Sequence, residues 1–138
     1  MSDPLSIGTS ILAILQLTGA IIMYLKDVHD APQDWINLLM EVSGLDGVLD
    51  ALQKRVKDAK SGDPWLTELE VLEVKNGPLV QFESDLKRLA SKLEPANGLK
   101  EVGRRLTWTF NKREIQDILS KIERIKTLIT FALTNNLL

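Results

Sequence analysis

The sequence predicts an all-α fold: a four-helix bundle with a long hydrophobic N-terminal helix and room for a fifth, short connector helix. Three segments carry apolar residues at alternating spacings of three and four, the period of a helix that buries one face. A fourth segment, at the N-terminus, is apolar and uncharged. Breakers rich in Pro, Gly, Asp and Asn separate these segments and argue against one long coiled coil. We expect the 138 residues, 1–138, to form a single domain.

The first predicted helix has no charged residue over residues 4–25. Ser2 or Asp3 is a suitable cap, Pro4 suits the first helical position, and Lys26 ends the uncharged run. Its 22 residues extend about 33 Å, enough to cross a hydrocarbon core about 30 Å thick. Ten of them favour membrane insertion, namely Leu5, Ile7, Ile11, Leu12, Ile14, Leu15, Leu17, Ile21, Ile22 and Leu25.

This helix has two interpretations that the sequence leaves open. It is either a membrane-active element or a central helix that its neighbours bury on nearly all sides, and the two agree if the helix is buried in one state and exposed in another. A secretory signal is disfavoured because the start carries no positive charge and the apolar run is too long. Small and polar residues recur at spacings that let another helix approach closely: Thr9, Ala13, Gln16 and Ala20.

The second predicted helix follows the break Asp30-Ala31-Pro32 and runs to about residue 60. Pro32 is expected to open it, with Asp30 or Ala31 as the cap. Its apolar seam, which Ile36 and Leu39 widen, comprises Trp35, Leu38, Val42, Leu45, Leu49, Leu52, Val56 and Ala59. Stop and turn residues at 61–64 end the helix, and residues 65–74 predict a short helical connector.

Two further helices complete the predicted bundle. The third opens after Asn76-Gly77-Pro78, and residues 95–98 close it. Its seam comprises Leu79, Phe82, Leu86, Leu89 and Leu93. The fourth starts near Asn111, which with Glu114 three residues later is close to a capping box. Its seam comprises Ile115, Ile118, Ile122, Ile125, Ile129 and Ala132.

The composition argues against catalysis. With no cysteine and one histidine, the chain has no thiolate zinc site, no Cys nucleophile and one candidate imidazole base. It also has no P-loop, Gly-rich dinucleotide fingerprint or His-Glu-x-x-His motif. Its acid clusters lack partnering His or Cys and predict solvated faces rather than metal ligands: Glu68, Glu70, Glu73, Asp117 and Glu123. We therefore expect no enzyme activity, no catalytic, cofactor-binding or metal-binding residues, and no small-molecule substrate.

Charge is distributed unevenly along the chain. Residues 1–50 contain seven acids and one base, whereas residues 99–138 contain eight bases and four acids. No segment is basic enough to predict a nucleic-acid partner. Residues 100–113 contain both basic and aromatic side chains. Either this segment binds an anionic membrane surface, or its aromatic side chain packs on the bundle and its bases pair with acidic helices. The predicted basic patch comprises Lys100, Arg104, Arg105, Trp108, Lys112 and Arg113.

Several short stretches occur in a characteristic order along the chain. They are Ser2-Asp3-Pro4-Leu5-Ser6-Ile7, Asp30-Ala31-Pro32, Leu38-Leu39-Met40-Glu41-Val42-Ser43, Leu49-Asp50-Ala51-Leu52, Gly77-Pro78-Leu79, Arg105-Leu106-Thr107-Trp108, Lys112-Arg113-Glu114-Ile115 and Ile122-Glu123-Arg124-Ile125-Lys126. This ordered set resembles the HeLo-like (HELL) N-terminal domains of fungal STAND or NLR-type receptors and related cell-death proteins. The resemblance covers essentially the whole chain.

The resemblance implies a helical-bundle effector domain that precedes a nucleotide-binding NACHT-type module with repeats, or a short amyloid-forming signalling motif. It is similar in role to the four-helix executioner domain of the mammalian mixed-lineage kinase-like pseudokinase. Activated domains of this family oligomerise, move to the plasma membrane and permeabilise it, with the N-terminal hydrophobic helix as the membrane-active element. On this chain that element is residues 5–25.

Two functions from different classes follow. The first is a membrane-permeabilising effector of fungal programmed cell death, innate immunity and heterokaryon incompatibility, cytoplasmic at rest and at the plasma membrane on activation. Its partners would be anionic lipids, further copies of itself, and an upstream receptor or amyloid scaffold. The second is a non-enzymatic adaptor module of an NLR-type receptor, in which the N-terminal helix serves packing alone.

Overall fold

The computed structural model describes residues 4–26, 32–73, 77–93 and 111–134, and every regular element in these ranges is an α-helix. The five helices are α1 (Pro4–Lys26), α2 (Gln33–Asp58), α3 (Pro64–Glu73), α4 (Pro78–Leu93) and α5 (Lys112–Thr134). The predicted all-α class, the long apolar N-terminal helix and the short connector helix are therefore confirmed.

The start of α2 differs from the prediction. Pro32 does not open the helix but is its N-cap residue, with extended backbone (φ −61°, ψ 158°). Its carbonyl oxygen accepts hydrogen bonds from the backbone N–H groups of Trp35 (3.0 Å) and Ile36 (3.2 Å). An N-cap residue needs no N–H donor of its own, so proline fits this position as well as the next. Asp30 and Ala31, the predicted caps, lie outside the described residues.

A tight turn joins α2 to α3. Gly62 adopts a left-handed backbone (φ 88°), which glycine tolerates without steric penalty. The backbone N–H of Asp63 donates to the carbonyl of Lys60 at 3.0 Å, and the Asp63 carboxylate accepts the N–H of Trp65 at 2.9 Å. The Asp63 side chain thus caps α3 directly after the turn.

The first two helices run antiparallel. Leu25, near the end of α1, contacts Trp35 at the start of α2, whereas Gly8 lies beside Gln53 in the last turns of α2. α1 also packs against α4 and, less extensively, against α3.

The last helix runs parallel to α2 and antiparallel to α4. Residues 37–41 of α2 and 119–123 of α5 line one shallow groove, and Trp65, which follows α2, reaches Ala132 near the end of α5, so α2 and α5 are parallel. Lys92, at the end of α4, pairs with Glu114 at the start of α5. The end of α1 therefore lies at the same end of the molecule as the starts of α2 and α5.

The core is built from the apolar seams of all five helices. Every predicted seam residue of α2, α4 and α5 is buried except Ala59 and Ala132, which are partly buried. Ile36, predicted to widen the face of α2, is 40% exposed. α3 adds Trp65, whose indole N–H donates to the carbonyl of Ala132 at 2.8 Å. The guanidinium of Arg55 lies 4.1 Å from the centre of the same indole and joins α2 to this contact.

Candidate functional site

Burial divides α1 into two sides. One side packs into the core at spacings of 4, 3, 4, 3 and 4, through Ile7, Ile11, Ile14, Thr18, Ile21 and Leu25. The opposite side, named the outward face here, contains the exposed residues Thr9, Leu12, Gln16 and Met23. The interpretation of α1 as a helix buried on nearly all sides is therefore wrong, because α2, α3 and α4 leave the outward face exposed.

The structure distributes the ten predicted membrane-active residues over the whole circumference of α1. Five are buried in the seam (Ile7, Ile11, Ile14, Ile21 and Leu25), three are partly buried (Leu15, Leu17 and Ile22), and Leu12 is 46% exposed. The side chain of Leu5 lies outside the described residues. In this state half of the set serves the core, so a membrane could reach it only after α1 moves.

The predicted stripe of small and polar residues lies on the exposed side of α1. Thr9 and Gln16 are exposed, and Ala13 and Ala20 are half-buried. Its sequence spacing predicts close approach of another helix, but the bundle uses the opposite, isoleucine-rich side of α1 for packing.

Two hydrogen bonds join α1 to α2 in addition to the apolar contact. The hydroxyl oxygen of Thr18, which is 0% exposed, lies 2.8 Å from the Asp46 carboxylate and 2.8 Å from the carbonyl oxygen of Leu15 in its own helix. The indole N–H of Trp35 donates to the carbonyl of Leu25 at 2.8 Å. Sequence reasoning placed Trp35 in the seam but missed both bonds, because they depend on the antiparallel register of two helices.

The contact between the start of α1 and α2 is less well satisfied. Gln53 lies beside Gly8, and a Cβ at Gly8 would meet both side-chain terminal atoms of Gln53 at 3.7 Å. The Oε1 atom of Gln53 is buried and accepts no hydrogen bond from any residue that the structure describes. A buried acceptor without a donor destabilises the folded state.

The predicted basic patch is described in part. Lys112 and Arg113 are exposed at the start of α5, whereas Lys100, Arg104, Arg105 and Trp108 lie outside the described residues. Because α5 runs parallel to α2, these two bases lie at the end of the molecule where α1 finishes with the exposed Lys26.

A capping box orders the start of α5, as the sequence predicts. The Glu114 carboxylate accepts the backbone N–H of Asn111 at 3.1 Å, and the Asn111 side chain accepts the N–H of Glu114 at 2.8 Å. Lys92 also donates to Glu114, at 2.6 Å. The hydrogen bond from Lys92, followed by that from Asn111, lowers the pKa of Glu114.

The described ranges contain acidic side chains and surface depressions. No group of three or more His, Asp or Glu side chains there could hold a metal ion. One open surface depression lies between α4 and α5 and is lined by Phe82, Asp85, Lys121 and Arg124. Lys121 is paired there with Asp85 (3.5 Å) and with Asp117 (3.1 Å), and the hydrogen bond to Asp117 is the main cause of its raised pKa.

One segment of the described chain has the length and composition of a membrane span. It is Ile7–Lys26, a segment of 20 residues. In its most apolar window, 28% is buried inside the protein. No protein-family model, curated protein or solved structure matches the chain.

Proposed function

We propose that this protein is a membrane-permeabilising effector domain of the HeLo-like kind, folded as a four-helix bundle and activated by oligomerisation. In the resting, cytoplasmic form α1 belongs to the bundle. Clustering on an upstream receptor or amyloid scaffold releases α1, which enters the anionic plasma membrane together with the α1 helices of neighbouring copies. The domain supplies no enzyme activity and needs no cofactor.

The packing of the four long helices supports the bundle architecture. α1 contacts α2 and α4, and α5 contacts the same two helices, so the four close into a ring. α3 is a short connector that packs on α1 and α4 at the end where α2 finishes.

The observation that carries the proposal is the combination of apolarity and incomplete burial in α1. The helix is uncharged over residues 4–25, yet its outward face already meets solvent. Moving the isoleucine seam into water would cost about 25 cal/mol per Å² of apolar surface. Moving it into lipid avoids this cost, since each Leu or Ile at mid-membrane contributes about −0.3 to −0.6 kcal/mol. Release of α1 therefore favours a bilayer over water as its destination.

The charges at one end of the molecule fit an anionic surface. Lys26, Lys112 and Arg113 are all exposed at the end where α1 finishes. Each base near an anionic leaflet contributes about 1 kcal/mol of attraction.

The decisive test changes a residue of α1 that the resting bundle does not need. Leu12 is 46% exposed and Val80, on α4, is 45% exposed, so Leu12→Asp and Val80→Asp place the same charge at matched positions. An Asp inside a membrane-spanning helix costs about 3 kcal/mol, which corresponds to about a 100-fold loss of insertion. Wild type and Leu12→Asp are clustered through a fused inducible oligomeriser and added to anionic vesicles that contain a dye. We expect the amount of dye that Leu12→Asp releases to be about 100-fold lower than the amount that wild type releases.

Val80→Asp is expected to behave like wild type in the same assay. The buried Ile14, at 1% exposure, is unsuitable because an acidic substitution there would unfold the bundle. Equal leakage by wild type and Leu12→Asp would remove α1 from the mechanism. If the clustered wild type neither binds nor permeabilises the vesicles, the domain is instead an adaptor that oligomerises through protein contacts.

A further inference from the structure

We propose that Asp46 and Trp35 of α2 form a latch that holds α1 in the bundle and opens without leaving the Thr18 hydroxyl unpaired. The inference rests on the proposed function, which requires α1 to leave. It assigns the regulation of that step to two residues of α2.

Thr18 is the part of the latch that moves with α1. In the bundle its hydroxyl reaches the charged carboxylate of Asp46, a stronger acceptor than a neutral carbonyl. The carbonyl oxygen of Leu15, one turn earlier in α1, lies at the same 2.8 Å distance from the hydroxyl. When α1 leaves, the hydroxyl turns fully to Leu15, a hydrogen bond that α-helices tolerate in an apolar environment.

Leu25 provides the second contact, at the end of α1. Its carbonyl belongs to the last turn of α1, where carbonyl oxygens have no donor within the helix. In the bundle the Trp35 indole N–H satisfies it. In a membrane this carbonyl lies next to Lys26, where the uncharged run ends and water is within reach.

The free-energy cost of opening therefore falls on α2. Trp35 is 3% exposed, so its indole N–H loses a buried acceptor, and the half-buried Asp46 loses its donor. Removing the Asp46 carboxylate lowers this cost and leaves the apolarity of α1 unchanged. The latch differs in this respect from the isoleucine seam of α1, because the seam stabilises the bundle and also favours insertion into the membrane.

The experiment measures hydrogen exchange in the full chain without any membrane. In Asp46→Ala we expect the α1 amides to exchange about tenfold faster than in wild type, relative to the amides of α5. Asp46→Asn retains an oxygen acceptor for Thr18 and is expected to restore most of the protection. Asp50→Ala is the control, because it removes the same charge from an exposed residue of α2 that pairs with Lys54 of the same helix. Trp35→Phe, which retains an aromatic ring but lacks the N–H, is expected to resemble Asp46→Ala.

Three outcomes decide the matter. Faster exchange confined to α1 supports the latch, whereas unchanged exchange, or an equal rise in α1 and α5, overturns it. The vesicle assay then tests the function separately: Asp46→Ala should release dye at about one-tenth of the clustered protein concentration that wild type needs. Opening of α1 without any leakage would retain the latch and overturn the membrane function.

Discussion

At the scale of single residues, the least favourable contact in the described core is Gln53. Its side chain packs against α1 beside Gly8, and its Oε1 atom is buried without a donor. Each unsatisfied buried acceptor lowers the stability of the folded state by about 1–3 kcal/mol. An apolar side chain of similar shape does not have this cost. Gln53 contacts α1 at the opposite end from Trp35.

Gln53→Met is therefore expected to stabilise the protein by about 1 kcal/mol. Methionine has nearly the same length and flexibility as glutamine, so it fills the same space beside Gly8. Urea unfolding followed by circular dichroism measures the change. Lys57→Met, on the exposed side of α2, is the control and is expected to change the free energy of unfolding much less. A destabilised Gln53→Met variant would show that the amide has a bound partner in solution.

At the scale of helices, the start of α5 carries a pH-dependent contribution to stability. The hydrogen bonds from Lys92 and Asn111 lower the pKa of Glu114 from its ordinary value of 4.5 in the folded state. A lowered pKa means that the folded protein favours the carboxylate. The resulting stabilisation is complete above the unfolded pKa and is lost as the pH falls through the folded one.

Glu114→Gln tests this contribution. Glutamine can maintain the reciprocal capping bonds with Asn111 but not the ion pair with Lys92. We expect wild type to melt at a higher temperature than Glu114→Gln at about pH 6, and the difference to shrink between about pH 5 and pH 3. Lys92→Met should also reduce the pH dependence. Parallel melting profiles for wild type and Glu114→Gln across this range would contradict the assignment.

Helix positions and seams were predictable from the sequence, because they depend on local periodicity and on breakers such as Pro64 and Pro78. The capping box at Asn111 was predictable for the same reason. The buried side of α1 was not, since an uncharged helix has little contrast between its faces. In the sequence Thr18 is one polar residue among several. Only the register of α1 against α2 shows that its hydroxyl forms a hydrogen bond with Asp46.

At the scale of the whole molecule, acidic and basic segments are partly neutralised within the fold. Lys126 of α5 pairs with Glu41 of α2 at 3.2 Å, and that hydrogen bond is the main cause of its raised pKa. Lys121 likewise contacts Asp85 of α4. Bases of α5 are thus neutralised by acids of α2 and α4. Lys112 and Arg113 are exposed at the end of the molecule where Lys26 lies.

This asymmetry predicts the direction in which α1 enters a membrane. Residues 4–25 contain no charged side chain to carry into the bilayer, whereas α1 ends at Lys26, at the end of the bundle where Lys112 and Arg113 are also exposed. We therefore expect the start of α1 to cross the bilayer and Lys26 to remain at the headgroups. Along the helix Thr9 lies about 26 Å from Lys26, which is close to the thickness of the hydrocarbon core, about 30 Å.

The chain contains no cysteine, so single-cysteine variants report this direction directly. Thr9→Cys and Gln33→Cys both place the thiol at an exposed position, and in solution both should react with a membrane-impermeant maleimide. After clustering on anionic vesicles, Thr9→Cys should become at least tenfold less reactive from outside, because the bilayer then separates it from the reagent. Gln33→Cys, beyond the end of α1, should remain reactive. Protection of Gln33→Cys with continued labelling of Thr9→Cys would reverse the direction of insertion, and full labelling of both would mean that α1 stays on the surface.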